Sequence, residues 1–374
     1  MSLDSYLAAA PKAELHLHLE GAIRPHTVLE LATRNSVHLP CATAAELQEW
    51  FQFTDFNHFV EVYGAISQCL RWSEDFELIA YETAKELAGQ NCRYAELGFS
   101  PAFHTRAGVA TDVYMDGLSR ARERARCELG VEIAFIFDLG RSWRGGEVET
   151  RRWASYTVDV AIEYRSAGVV GLGLGGPEDG HPPEPFADLF ERGRCAGLGS
   201  APHAGEHAGP ASVRGAIEAL HADRIAHGVR AIEDPGLVRQ LAHRQIALDV
   251  CPTSNIRLGV YPDLAAHPLP QLIAAGVAVT INTDDPPLFG VRLNDEVSLL
   301  ADPFGLDLAT IDEILLNGVR HSFLPAERRS QMQSAFRSEM ETLKADHLKG
   351  MSQGVGVPAG RAPRPAPKPP CGTT

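Results

Sequence analysis

Glu14-Leu-His-Leu-His-Leu-Glu-Gly21, near the start of the 374-residue chain, decides the fold. Its short apolar run carries His16 and His18 two residues apart, so in a strand both imidazoles project from one face at the strand's tip. His203-Ala-Gly-Glu206 and Asn282-Thr-Asp-Asp285 each close another apolar run in the same way. Outward from these three, strands are expected at 13–19, 93–99, 132–138, 169–174, 199–203, 224–227, 246–250 and 277–282. Between them lie amphipathic stretches at 113–128, 150–167, 185–196, 210–221 and 235–243. Eight strands alternating with helices predict parallel pairing and right-handed crossovers, hence an α/β chain folded as a (β/α)8 TIM barrel. That fold places its chemistry at the C-terminal strand ends. His16, His18, Asp138, Gly175-Gly176, His203, His227, Cys251-Pro-Thr-Ser-Asn255 and Asp284-Asp285 all fall there.

The segment 22–91 is much longer than an ordinary connection. Its aromatic group (Trp50, Phe51, Phe53, Phe56, Phe59, Tyr63) reads first as packing for extra helices on the barrel. A lid or pocket wall over a flat substrate ring is the sharper alternative. Helices at 311–319 and 325–349 close a single domain over 1–350, and the Pro/Gly-rich 351–374 reads as a disordered tail. A formal charge of −14 argues against a nucleic-acid backbone or an anionic membrane as partner. It leaves room for a single nucleoside or nucleobase as a small-molecule partner. Seven scattered cysteines without a C-x-x-C pair read as reduced thiols, and no signal peptide or spanning run is apparent, so a cytoplasmic protein is expected. Oligomeric state leaves no mark in these signals.

Strand ends of a closed barrel share one mouth, so His16, His18, His203 and Asp284 can converge on one ion. Imidazoles and a carboxylate without a thiolate suit zinc. One ion per chain is expected, because 169–174 ends in neither a bridging carboxylate nor a lysine. Glu206, three residues past His203, is placed to donate a proton to a ring nitrogen, which needs a raised pKa in a dry pocket. A helix first-turn acid is its bland reading. His227, ending Arg224-Ile-Ala-His-Gly228, reads either as a satisfied core histidine or as the group that orients the attacking water. Asp285 either joins that work or caps a helix opened by Pro286-Pro287. Gly171-Leu-Gly-Leu-Gly-Gly-Pro-Glu178 lacks the dinucleotide-loop pattern, and its glycines read as room for backbone N–H groups to approach a ligand. Arg141 and Arg144, just past a strand end, read as solvated loop charges, with a carboxylate-bearing substrate as the alternative.

From Lys12 to Gly290 the chain resembles the adenosine deaminase family, through Lys12-Ala-Glu-Leu-His-Leu-His-Leu-Glu-Gly21, Gly173-Leu-Gly-Gly176, His203-Ala-Gly-Glu206, Arg224-Ile-Ala-His-Gly228, Cys251-Pro-Thr-Ser-Asn255 and Asn282-Thr-Asp-Asp-Pro286, in order. The resemblance implies zinc on His16, His18, His203 and Asp284, and Glu206 protonating purine N1 while His227 assists hydroxide attack at C6. It also implies that Asp285 accepts a hydrogen bond at the purine, that Gly176 contacts the ring, and that the products are a 6-oxo purine and ammonia. Where the family usually has an aspartate for the ribose hydroxyl, this chain has Glu20. That departure is similar to the branch with adenine and aminodeoxyfutalosine deaminases, although adenosine is the family's commonest substrate and is expected first. Rivals from other classes are a non-catalytic zinc-containing purine-binding protein and a mononuclear amide hydrolase.

Overall fold

The computed structural model describes residues 2–53, 56–143 and 145–348. The expected tail at 351–374, Arg144 and the Phe56 side chain lie outside the described residues. Nine strand segments run β1 (Lys12–His18), β2 (Cys92–Phe99), β3 (Glu132–Gly140), β4 (Val169–Gly175), β5 (Gly199–Ser200), β6 (His203–Ala204), β7 (Arg224–His227), β8 (Ala247–Val250) and β9 (Val279–Ile281). Neighbours pair in parallel, in the orders β1-β2-β3-β4-β5 and β6-β7-β8-β9.

Two seams close these sheets into one barrel. At the first, β5 and β6 are halves of a single stave interrupted by Ala201-Pro202. Pro202 has no N–H to give to a ladder. Ala201 N–H still reaches the Leu172 carbonyl on β4 (2.9 Å), and Ala226 N–H on β7 reaches the Pro202 carbonyl (3.0 Å). The expected strand at 199–203 is therefore real but broken, handing over from one sheet to the other. At the second seam Asp284 N–H donates to the His16 carbonyl (3.0 Å), and His18 N–H donates to the Asp284 carbonyl (2.9 Å). Eight staves result, as the strand pattern predicts.

Between staves the helices Thr111–Arg124, Gly146–Glu163, Ala187–Cys195, Pro210–Glu218 and Pro235–Arg244 fall within a few residues of expectation. The helix Leu3–Ala9 had no counterpart in the sequence reading. Ser2 and Ser5 form its capping box, and the buried Tyr6 hydroxyl donates to Asp312 Oδ1 at 2.6 Å. That bond ties the chain start to the closing helix Leu308–Arg320. The long insertion folds as a short turn (Glu20–Ala22) and four helices: Pro25–Arg34, Ala44–Trp50, Phe56–Ser67 and Ser73–Ala88. The aromatic group divides between core packing and a cavity wall. Phe51 is fully buried in the core, while Phe59 and Tyr63 wall a cavity at the barrel mouth. No helix among the described residues is long and apolar enough to cross a membrane.

Inside the barrel, Arg224 is a fully buried cation. Its Nε donates to Asp249 Oδ2 (2.6 Å) and its Nη2 to Glu96, whose other oxygen accepts from Tyr94 (2.8 Å) and from Phe323 N–H (2.6 Å). Arg224→Met would leave two buried carboxylates without a counter-charge. Unfolding stability in a urea titration is expected to drop by about 3–5 kcal/mol. An unchanged midpoint would show that this ion group contributes no net stability.

Candidate active site

The β1 tip, the β6 start and the turn after β9 bring His16, His18, His203 and Asp284 together. His203 Nε2 lies 3.1 Å from His16 Nε2 and 3.2 Å from His18 Nε2. Asp284 Oδ1 lies 3.4 Å and 3.3 Å from the same two nitrogens. Bonds of about 2.0–2.1 Å at tetrahedral angles would put ligand atoms roughly 3.3 Å apart, so the set has the dimensions of a zinc site. Its tautomers agree. His16 Nδ1 is 3.2 Å from the Asp249 carbonyl, which can only accept, so Nε2 keeps a free lone pair for a metal. His203 is held neutral, its pKa well below the usual value, by burial and by the neighbouring imidazoles. These four residues therefore fit a divalent cation.

Each group facing the cavity is set by one behind it. His18 Nδ1 is 3.4 Å from Asp138 Oδ2, and that carboxylate fits because the facing residues are glycines. A Cβ on Gly173 would stand 1.9 Å from Asp138 Oδ1, and one on Gly98 would stand 2.9 Å from Oδ2. Ser254 donates to Asp284 Oδ2 at 2.6 Å. A chain of hydrogen bonds fixes His227. Leu269 N–H donates to His267 Nδ1 (3.2 Å), His267 Nε2 donates to Asn255 Oδ1 (3.1 Å), and Asn255 Nδ2 donates to His227 Nδ1 (3.2 Å). Burial lowers the His267 pKa to about 4, so that ring stays neutral and the chain keeps one direction. His227 Nε2–H then points towards Glu206 Oε1 (3.5 Å) and Asp284 Oδ2 (3.7 Å). His227 and Asp284 both adopt left-handed backbone, φ +62 and +66, a strain typical of residues aimed into a site.

Glu178 is the residue that the sequence reading left without a role. Its buried carboxylate accepts the N–H groups of Gly205 (2.7 Å), Glu206 (2.9 Å), His207 (2.7 Å) and Ala208 (2.9 Å), and the Ser212 hydroxyl (2.6 Å). It pins the loop that carries Glu206. Ser254, Asn255 and Asp138 stand in stretches the sequence singled out, but nothing in their spacing gives their partners. His267 and Asp249 carry no motif signal at all.

Glu206, His227, Asp285 and Gly176 line one cavity together with His18, His203 and Asp284. Gly176 sits at φ +94, a conformation for which glycine is suited. Burial raises the Glu206 pKa, but His227 and His207 pull it down further, so the carboxyl of the free site lies below its ordinary value. That departs from the raised pKa expected of a proton donor. Burial and the adjacent Asp284 push Asp285 well above the usual carboxylate range. Its Oδ1 is buried without a hydrogen-bond partner, in the space that a Cβ on Gly21 would fill at 1.6 Å. The same burial favours the protonated carboxyl, a form that can donate as well as accept.

Glu20 and Arg141 both lie in the interior. Glu20 Oε1 takes Ser100 N–H (3.0 Å) and His104 Nε2 (2.9 Å), and its Oε2 takes the Tyr63 hydroxyl (3.1 Å). Glu20 thus holds the cavity-wall residues Tyr63 and Ser100 from behind. Arg141 is buried rather than solvated. It donates from Nη1 to the His181 carbonyl at 2.6 Å and from Nη2 to the His203 carbonyl at 2.5 Å, clamping the strand end that carries His203.

Fold and site together define a metal-dependent barrel hydrolase. The family model described as adenosine deaminase matches residues 11–338, and the chain belongs to that family. It is 42% identical to the aminodeoxyfutalosine deaminase of Streptomyces avermitilis, over 92% of this chain and 94% of that one. It is 40% identical to the adenine deaminase of Cupriavidus taiwanensis, over 88% and 93%. A zinc-bound amidohydrolase structure from Burkholderia ambifaria superposes with a TM-score of 0.84 at 26% identity, covering 92% of this chain and 95% of that one. The chain is a hydrolytic purine deaminase.

Glu178→Ala is expected to release the 205–208 loop. Displacing a reacting group by about 1 Å costs roughly 10²-fold, so the deamination rate should drop by about that factor with metal content unchanged. A wild-type rate would show that the loop holds its position without the anchor.

Proposed function

We propose that the chain is a zinc-dependent deaminase of a 6-aminopurine, with aminodeoxyfutalosine before adenine and adenosine third. The observation that carries this reading is the convergence of a metal-sized ligand set, Glu206, His227 and Asp285 on one end of a single cavity whose other walls include Phe59, Tyr63 and Trp143. Zinc held by His16, His18, His203 and Asp284 supplies a Lewis acid that makes water nucleophilic near neutral pH.

The chain's own residues do the rest. Phe59 and Tyr63 exclude water from one side of a flat ring, and Gly176 admits the ring closely from another. Glu206 gives a proton to N1. A neutral purine covering the carboxyl displaces water and adds to the burial that raises its pKa, offsetting the pull of His227 and His207. His227, its N–H turned inward by Asn255, orients the attacking water over C6 and holds charge as the proton leaves. N7 offers only a lone pair, so Asp285 meets it as the protonated acid. Loss of the amino group as ammonia leaves the 6-oxo purine.

Two observations support the order of substrates. With C6 at the ligand set, the N9 side of the ring would turn away from it, and Phe103 and Trp143 are among the other residues that line the cavity. Glu20, which stands where the family usually has an aspartate for the ribose hydroxyl, is bonded to Tyr63, Ser100 and His104, which supports placing adenosine behind the other two. The relatives named aminodeoxyfutalosine and adenine deaminases support the same order.

The test is ammonia release by the zinc-loaded protein offered all three compounds in parallel. The highest kcat/KM is expected for aminodeoxyfutalosine, and a preference for adenosine would overturn the order. Glu206→Gln should keep its zinc and lose about 10²–10⁴-fold in rate, the range of a general acid. Full activity in that variant would remove Glu206 from the mechanism.

A further inference from the structure

Next to the purine cavity, and sharing Phe103 and Trp143 with it, lies a second depression that Gly64, Ser67, Arg71 and Arg106 help to line. One helix, Phe56–Ser67, runs past both. Phe59 and Tyr63 face the first space, and Gly64 and Ser67 face the second. Phe59, Tyr63 and Ser67 follow at four-residue intervals, so one helix face leads from the ring site to the arginines over roughly 12 Å. A Cβ added to Gly64 would meet nothing within 4 Å, so the space above the helix is open there.

The charge of this depression is unusual for the chain. The net charge is −14, and arginines such as Arg120, Arg124, Arg192 and Arg292 are paired with carboxylates. Among the described residues neither Arg71 nor Arg106 forms an ion pair, and the depression has no acidic side chain in its lining. Arg71 gives Nη1 to the Ala107 carbonyl at 3.2 Å. The Arg106 guanidinium lies 4.6 Å above the Trp143 ring, which leaves its edge free for a planar anion. The Trp143 indole Nε1 is buried with no hydrogen-bond partner among the described residues. Two cations and an unused donor thus border an aromatic ridge that begins inside the ring site.

We propose that this depression is a subsite for a carboxylate carried on the substrate's N9 arm, with the flat part of the arm resting on Phe103 and Trp143 and its charged end between Arg71 and Arg106. The orientation rests on the purine reading given above. The subsite would make the enzyme select purines by a group remote from the reacting carbon, through binding energy that a bare nucleobase lacks.

Binding to the zinc-loaded wild-type protein tests this without turnover. The probes are the 6-oxo product of carboxylate-bearing aminodeoxyfutalosine and the methyl ester of that product, which differ in the charge of the arm. By calorimetry the free acid should bind at least about tenfold more tightly, the lower end for a hydrogen bond to a charged group. Added salt should shrink that advantage. The double variant Arg71→Ala/Arg106→Ala should abolish it, while the corresponding lysine variants keep part of it. Gly64→Phe, which fills the depression without altering charge, should weaken acid and ester alike and leave adenine deamination unchanged. Equal binding of acid and ester by the wild-type protein would overturn the subsite. So would arginine variants that slow adenine deamination as much as they weaken the acid. Failure to deaminate any of the purines would refute the reaction instead, and the binding comparison decides the subsite either way.

Discussion

Two backbone hydrogen bonds, Asp284 N–H to the His16 carbonyl and His18 N–H to the Asp284 carbonyl, close the barrel and build the ligand set in one step. The residues that join the last stave to the first are three of the four that face the metal position. Their side-chain spacing is therefore set by ladder geometry, before any ion binds. Asp284 takes left-handed backbone to do this, a cost of order 1–3 kcal/mol that persists only where the surroundings over-determine it. Here the surroundings are the two seam bonds and the Ser254 hydroxyl on the carboxylate. Strain at this point falls on a residue that both closes the barrel and turns its carboxylate to the histidine cluster.

Behind the seam the same economy recurs. Asp249 presents its backbone carbonyl to His16 and its side chain to Arg224 and Thr280, so the buried ion group in the barrel and the tautomer of a metal-facing histidine share one residue. Glu178 reaches from the end of β4 to the four consecutive amides around Glu206. Asn255 and His267 turn the His227 N–H inward. Preorganised donors and acceptors of this kind cost no reorganisation when charge develops on a substrate, which is where most catalytic stabilisation arises. The side chains that line the cavity are held in place by buried polar residues behind them.

The sequence makes much of this legible because strand period and strand-end placement are local properties. A histidine pair two apart in an apolar run, and polar residues that end five further runs, suffice for the barrel and for the convergence of His16, His18, His203 and Asp284. What stays hidden depends on partners far away in the chain. Nothing near Glu20 shows that His104, Ser100 and Tyr63 will take up its carboxylate. Nothing near Arg141 shows that a pair of carbonyls will bury it. The upward push on the Asp285 carboxyl comes from burial beside Asp284, which residue type alone cannot express. The strand expected at 199–203 gives no sign of its break at Ala201-Pro202, because the handover between two sheets depends on pairing on both sides.

A second arrangement shares the same barrel mouth: His16, His227 and Cys251 also approach closely enough to hold an ion. The X-ray absorption spectrum at the zinc edge of the zinc-loaded protein separates the two sets directly. A first shell of nitrogen and oxygen alone at about 2.0–2.1 Å, with imidazole multiple scattering, is the result expected if the closure residues hold the metal. A sulfur scatterer at about 2.3 Å would place the ion on Cys251 and contradict the assignment of the site to the barrel seam.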